Sequence, residues 1–259
     1  MTPESRRNAI VELVTARGEI SIEQLASHFG VSLQTVRSDL RNLASDGLLL
    51  RRHGMVAPFA RENIGYQQRE IVNISGKRWI GERTALLLSA WQSCFLGTGT
   101  TVEMVAHALP EASRLAVFTN NLHAVLPLSQ RAECELTIAG GRLRKRDLDV
   151  IGGDALRFFS RYRVDAGVVS VGGIGDAGEL YDFNDDEVAA RHALVASAAL
   201  SVLVVDSSKF GRTAVCQNGT IADFDFVVSD RPPTEQQAAL LAKGTTQWLC
   251  RADEGFPSP

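Results

Sequence analysis

Apolar residues return at Ile10, Leu13 and Val14, the spacing of one helix face, and the pattern predicts a helix over 4–16 that Gly18 ends. Ser21 then offers an N-cap, with Gln24 three residues on as its capping-box partner, ahead of a short helix through Leu25, Ala26 and Phe29. Gly30 breaks that helix. Ser32 is a fresh N-cap for a third helix over 33–45. Two short helices joined by a tight turn containing glycine predict a helix-turn-helix. Residues 48–56 then read as a short strand pair.

The next stretch, 58–75, has little periodicity and contains Pro58 and Gly65, so it reads as a linker. Helical spacing resumes over 76–90 with Trp79, Ile80, Ala85, Leu86 and Leu87. Beyond it, short apolar runs alternate with helical segments. The runs are 93–96, 115–118, 135–139, 166–171, 201–205 and 226–229; the helices are 102–109, 122–130, 154–161, 185–199 and 234–242. Continuous apolar strands alternating with helices predict a mostly parallel sheet covered on both faces. The expected organisation is therefore α/β. A helix-turn-helix domain over 1–57 and the linker lead to an α/β domain over 76–251, with a disordered tail at 252–259.

Length and charge constrain this picture. The chain has 259 residues, more than one domain usually needs, and 45% are hydrophobic, enough for a sizeable core. The formal net charge is −3, so bulk charge does not draw this chain to nucleic acid, and any DNA contact has to come from a local patch. No apolar run reaches the ~18 residues that span a bilayer. The start, MTPESRRNAIVEL, lacks a signal-peptide core, which places the expected location in the cytoplasm. The four cysteines lie far apart without a C-x-x-C pair, and His107, His123 and His192 show no metal spacing with cysteine or carboxylates, so no metal or other cofactor is expected.

The third helix carries the first chemistry. At about 100° per residue, Val36, Leu40 and Leu43 form one narrow stripe. Gln34, Ser38 and Arg41 fall opposite, flanked by Thr35, Arg37 and Asn42, and each can donate to a base edge or a phosphate. Asp39 belongs near the buried edge. Arg51, Arg52 and His53 follow as a basic wing. Residues 1–60 hold seven arginines, no lysine and six acids, so the arrangement argues for DNA more strongly than the charge does.

In open α/β sheets, ligands sit at the carboxyl ends of the strands. The loops there are 97–101, 119–121, 140–146, 172–178 and 206–209. Gly97, Thr98, Gly99, Thr100 and Thr101 form the sharpest of them: two glycines, three hydroxyls and the start of a helix, which together suit a phosphate or carboxylate. The alternative is a tight strand-to-helix turn with threonine caps. Gly173, Gly175 and Gly178 match G-x-G-x-x-G, but no apolar-periodic helix follows, so a dinucleotide site is rejected. Asn120 and Asn121 suit polyol hydroxyls or a helix cap. Lys209 suits a phosphate, or a surface pair with Asp206. Glu187 and Arg191 are spaced as an i,i+4 pair. Arg142, Arg144, Lys145 and Arg146 read as a solvated basic face from which one side chain reaches the pocket.

The segment EISIEQLASHFGVSLQTVRSDLRNLASDGLLLRRHG resembles the helix-turn-helix of the DeoR family of bacterial repressors. GTGTTVEMVAHAL, FTNNLHAV, IAGGRLRKRD, GGIGDAGELYDFNDDEV and VVDSSKFGR resemble that family's effector domain, in the same order along the chain. The resemblance implies a fold similar to ribose-5-phosphate isomerase, glucosamine-6-phosphate deaminase and the CoA-transferases. It implies that Gln34, Thr35, Arg37, Ser38 and Arg41 meet double-stranded operator DNA, and Ser32 at the helix start and the basic wing of Arg51, Arg52 and His53 are expected beside them. It also implies that Gly97–Thr101, Asn120, Asn121, Gly140, Gly141, Gly172, Gly173, Glu187 and Lys209 border an effector site. The effector that the resemblance implies is a phosphorylated small molecule, glycerol 3-phosphate in the branch whose motifs are most alike. The family usually has Asp where Gly97 stands, and a second Arg where Ser38 stands. One recognition helix reads too few base pairs alone, so a homo-oligomer, dimer or tetramer, is expected. The competing reading is a sugar-phosphate isomerase or deaminase carrying an accessory DNA-binding domain. Against it, the loops show no carboxylate dyad with a partnered histidine.

Overall fold

The computed structural model describes residues 2–45, 49–52, 54–58, 65–111 and 114–251. It divides into two units between Ile74 and Ser75. The first opens with α1 (Pro3–Arg17), β1 (Ile20–Ser21), α2 (Ile22–Phe29) and α3 (Leu33–Ser45). The capping box at α2 is formed: Ser21 Oγ accepts from the Gln24 amide at 3.1 Å, and Gln24 Oε1 accepts from the Ser21 amide at 3.0 Å. Gly30 ends α2 in the left-handed conformation. Two strands follow, β2 (Leu49–Arg52) and β3 (Met55–Pro58), and β3 pairs with both β1 and β2 in an antiparallel sheet. Ile10, Val14, Leu25, Val36, Leu40, Leu43 and Val56 close the core beneath these elements. The stretch read as a linker contains a helix, α4 (Tyr66–Ile71). Its YQQREI sequence has no apolar stripe, and Tyr66 alone is buried.

The second unit follows with α5 (Ile74–Leu88), β4 (Ser93–Leu96), α6 (Thr100–Ala108), β5 (Ala116–Thr119), α7 (Leu122–Ser129) and β6 (Glu135–Ile138). A small hairpin, β7 (Leu143–Arg144) and β8 (Asp149–Val150), precedes α8 (Gly153–Ser160) and β9 (Val164–Val169). Then come β10 (Gly173–Ile174), β11 (Glu179–Asp182), α9 (Asp185–Ala196), β12 (Ala198–Val204), β13 (Cys216–Thr220), β14 (Phe226–Ser229), α10 (Glu235–Leu241) and β15 (Gln247–Cys250). Seven strands form the main sheet in the order β15-β14-β12-β9-β4-β5-β6, and each neighbouring pair is parallel.

Alternate residues of the same strands feed two cores. Cys94, Leu96, Val168, Val202 and Val204 point to the face covered by α5, α6 and α7. Phe95, Val169, Leu203 and Val205 point to the other, where Phe159 of α8 and Ala190 and Leu194 of α9 pack. The expected parallel sheet covered on both faces is the one observed. It also holds a seventh strand, β15, that the apolar runs did not reveal. Around Gly173, Gly175 and Gly178 the chain forms the antiparallel hairpin β10–β11, which β13 extends to three strands. That segment is therefore a strand-turn-strand, without the helix that a dinucleotide loop opens. No described helix is long and apolar enough to cross a membrane. The expectations for His53 and for the tail at 252–259 fall outside the described residues.

Candidate functional site

On α3 the buried stripe is Val36, Asp39, Leu40 and Leu43. Gln34, Arg37, Ser38, Arg41 and Asn42 are exposed on the rest of the helix, together with Leu33, which the sequence reading passed over. Ser32 and Thr35 are occupied in the helix cap: Ser32 Oγ accepts from the Thr35 amide at 3.1 Å and meets Thr35 Oγ1 at 2.8 Å. Asp39 accepts from Nε of Arg6 on α1 at 2.6 Å, an ion pair mostly shielded from solvent. Because Asp39 is on α3 and Arg6 on α1, this pair ties the two helices to each other. Arg51 and Arg52 lie on β2, the strand that pairs with β3 as a wing.

In the second unit, the chain runs from β4 outward through β5 to β6, then returns to place β9 on the other side of β4. The carboxyl ends of β4 and β9 therefore flank the point where the winding direction changes, the usual crevice of an open α/β sheet. Gly97 continues the ladder, its N–H donating to Val168 O at 2.9 Å. Gly99 turns the chain with φ 108°, a conformation open to glycine and strained for other residues, and α6 begins at Thr100 with no side-chain cap. The leading amides of α6 thus face the crevice without a capping oxygen, as an anion requires. Thr100 and Thr101 are buried, and Thr98 is half-buried. Thr101 Oγ1 lies 3.5 Å from Asp206 Oδ2.

Asp206 is fully buried at the end of β12. Lys209 is 7% exposed and Lys77, on α5, is 2% exposed. Burial pushes the Asp206 carboxyl up, yet the Lys77 and Lys209 ammonium groups, with the hydroxyl and amide of Ser208, hold it below the usual carboxylate range. A surface pair between Asp206 and Lys209 is thus replaced by a buried cluster with a second lysine. The sequence reading missed Lys77 as a site residue.

The loop after β5 lies alongside. Asn121 caps α7 through Oδ1, which accepts from the His123 amide at 3.1 Å, and its Nδ2 reaches Gly99 O at 3.4 Å. Asn120 donates from Nδ2 to Val150 O at 2.7 Å, while its buried Oδ1 meets no hydrogen-bond partner. Gly140 and Gly141 form the turn between β6 and β7. Of the basic run, Arg142, Lys145 and Arg146 are exposed, and Arg144 is drawn inward. Its guanidinium binds Asp149 at 2.6 and 2.8 Å, approaches Asp147 at 3.4 Å and pairs with Glu187 of α9. The expected i,i+4 pair of Glu187 with Arg191 is not made. Arg191 instead binds Asp182 and Asn218, because its side chain points under α9 toward β11 and β13. Asp182 also accepts the Gly172 amide at 2.8 Å. A Cβ on Gly172 would meet Tyr181 O and the Phe183 ring, and one on Gly173 would run into Arg212 O. Both glycines are required by packing.

The model of the DeoR-like helix-turn-helix domain matches residues 6–59, and that of the DeoR C terminal sensor domain matches residues 72–231. The chain belongs to the DeoR family. This DeoR-family chain is 39% identical over 234 residues to the glycerol-3-phosphate regulon repressor of Escherichia coli strain K12, covering 90% of this chain and 93% of that protein. It is 35% identical over 251 residues to the repressor of the same name from Haemophilus influenzae, covering 96% and 98%. A ribose 5-phosphate isomerase A from Methanocaldococcus jannaschii has 17% identity and a TM-score of 0.39 over 53% of this chain and 55% of that one, a likeness too slight to bear on activity. This DeoR-family protein is a DNA-binding regulator with a sensor domain.

Proposed function

We propose that this DeoR-family regulator represses a carbohydrate or glycerol catabolic operon, and that a phosphorylated metabolite, glycerol 3-phosphate, releases it from the operator. The observation that supports the anion is the meeting of the uncapped start of α6 with two buried lysines at the sheet's switch point. The phosphate would take the amides and hydroxyls of Thr98–Thr101 and the field of Lys77 and Lys209. The unpartnered Oδ1 of Asn120 would accept from an effector hydroxyl, which inorganic phosphate cannot mimic at the same spacing. The choice of glycerol 3-phosphate rests on the names of the relatives.

On the operator side, the exposed face of α3 (Gln34, Arg37, Ser38 and Arg41) would read base edges, with Arg51 and Arg52 on the wing toward phosphates. A symmetric homo-oligomer would pair two such faces on one operator. A coupling of about 1–3 kcal/mol between the sites would change operator affinity ~5–150-fold.

A thermal-shift panel of glycerol 3-phosphate, glycerol, ribose 5-phosphate and inorganic phosphate tests the effector. A ligand at ~100 times its Kd adds about 2.7 kcal/mol of stability. Glycerol 3-phosphate alone should raise the melting temperature, and should also release DNA selected by the protein from a random pool. A shift confined to ribose 5-phosphate discards the glycerol assignment. Turnover of ribose 5-phosphate would revive the isomerase reading.

A further inference from the structure

The hairpin β7–β8 has no place in the main sheet. Its returning strand is stitched to the loop after β5: the Leu122 amide donates to Leu148 O and the Val150 amide to Asn120 O, each at 2.9 Å, and Asn121 bridges Asp149. That loop starts α7, on one face of the sheet. A second attachment is Arg144, whose guanidinium pairs with Glu187 in the first turn of α9, on the opposite face, and a weaker third is the Arg142 amide, which donates to Asp154 Oδ2 of α8 at 3.3 Å. Helix α9 packs on β9 and β12. In the order β12-β9-β4-β5, a segment tied to the end of β5 and to the helix over β9 crosses the end of β4. There Gly99 opens α6.

We propose that residues 142–150 form a strap across the effector crevice, and that the Arg144–Glu187 pair is its latch to α9, controlling entry and exit of the anion. The inference rests on the effector reading above. Arg144 is a positioning residue in this scheme.

Two features suit a latch that opens. Leu148 holds φ 48°, a strained conformation for leucine, where the strap turns into β8. One guanidinium also serves three carboxylates, those of Asp147, Asp149 and Glu187, all largely shielded from water. Asp147 and Asp149 belong to the strap itself, so Arg144 can release Glu187 and stay charge-paired. The carboxylates repel one another, and an incoming anion adds to that repulsion. Opening the Glu187 contact therefore frees the strap from α9 without stranding its arginine.

Glu187→Gln removes the latch charge and leaves Arg144 on Asp149 and Asp147. Hydrogen exchange on the full chain without ligand reads the strap directly. Amides of 142–150 should exchange about tenfold faster in the variant, the loss expected for one charge-assisted hydrogen bond, with α8 and the body of α9 unchanged. Unchanged exchange overturns the proposal. So does a rise spread over the whole sensor unit, which marks a general stabilising role.

Stopped-flow binding of glycerol 3-phosphate, followed by the fluorescence of Trp79, Trp91 and Trp248, supplies the second reading. Association and dissociation rates should both rise several-fold, with Kd moving less than either. Faster dissociation at an unchanged association rate makes Glu187 a ligand contact and overturns the latch. If glycerol 3-phosphate fails to bind the unaltered chain, the effector assignment falls, and the exchange experiment still decides the strap.

Discussion

Replacing Lys77 by methionine tests the buried charge cluster, because methionine keeps most of the side chain's length and removes its charge. Asp206 has no exposed surface, Lys77 is 2% exposed and Lys209 7% exposed, so water cannot compensate for a missing partner. Breaking a buried ion pair by removing one partner costs about 3–5 kcal/mol, and the remaining Lys209 puts this variant near ~3. For a unit of this size that is a fall of roughly 6–12 °C in melting temperature. The dependence on pH is the sharper signature. In the unaltered chain the Asp206 carboxyl is held low, so its contribution is present above the unfolded value of about 3.9 and is lost as pH falls through the lower folded value. Without Lys77, burial meets less opposition and the folded carboxyl rises. The penalty in the variant is then largest near neutral pH and fades as Asp206 takes up a proton. Urea unfolding followed by tryptophan emission reads the sensor unit, since Trp79, Trp91 and Trp248 all lie within it. The two stability curves should draw together only as pH falls below ~4, through the lowered folded value of the unaltered chain. A difference that stays constant with pH would show that Lys77 acts through the packing of its stem, and the electrostatic account would fail.

Arg41→Ala should weaken DNA binding about tenfold or more, the scale of one bidentate base contact of ~1–3 kcal/mol, while leaving the thermal shift with effector intact; equal loss of both would remove the division between operator face and sensor. Asp39→Asn should loosen α3, lowering operator affinity and melting temperature together, since Arg6 loses its charged partner; unchanged DNA binding would show that α3 is held by its apolar stripe alone. Gly99→Ala should destabilise the sensor by about 1–3 kcal/mol through backbone strain. Space is not the limit there, because the nearest atom to an added Cβ is Ser170 Cβ at 3.8 Å, so an unchanged melting temperature would mean that the turn relaxes. Leu148→Asn should raise the melting temperature by a degree or more, because asparagine tolerates positive φ; a fall would mean that the leucine side chain itself holds the strap.

The recognition helix was legible because its three-residue apolar stripe and its polar face belong to one element and need no knowledge of the rest. The central strands were legible for a related reason: buried parallel strands write themselves as unbroken apolar runs, as at 201–205. The edge strand β15 and the short strands outside the main sheet do not. Gln247–Cys250 mixes polar and apolar residues, and only its pairing with β14 makes it a strand. Glu179–Asp182 and Cys216–Thr220 depend likewise on each other. The loops at the carboxyl ends could be named from the alternation of elements, but the partners across them could not. Arg144 and Glu187 are distant in sequence, and Arg191 turned away from Glu187 because Asp182 and Asn218 satisfy it. Lys77 did leave a trace. It stands in line with Ile80, Gly81, Thr84 and Leu88 on the buried side of α5, a charge on an apolar stripe. Such a charge needs a buried counterpart.

The strand order also sets a schedule for synthesis. Strand β4 meets its partner β5 early in the chain, within about 25 residues. Its opposite edge waits for β9, whose first residue, Val164, follows Leu96 by about 70 positions. At ~5–20 residues per second, the native partner of that edge is made roughly 3–14 s after β4 in each round of translation. A β4 paired with β5 in that interval would present bare backbone beside Cys94 and Leu96, the future crevice floor, to any passing strand. Strand β4 of this sheet thus waits longest for one of its two neighbours, and the aggregation hazard usually met at a sheet's edge falls here in its interior.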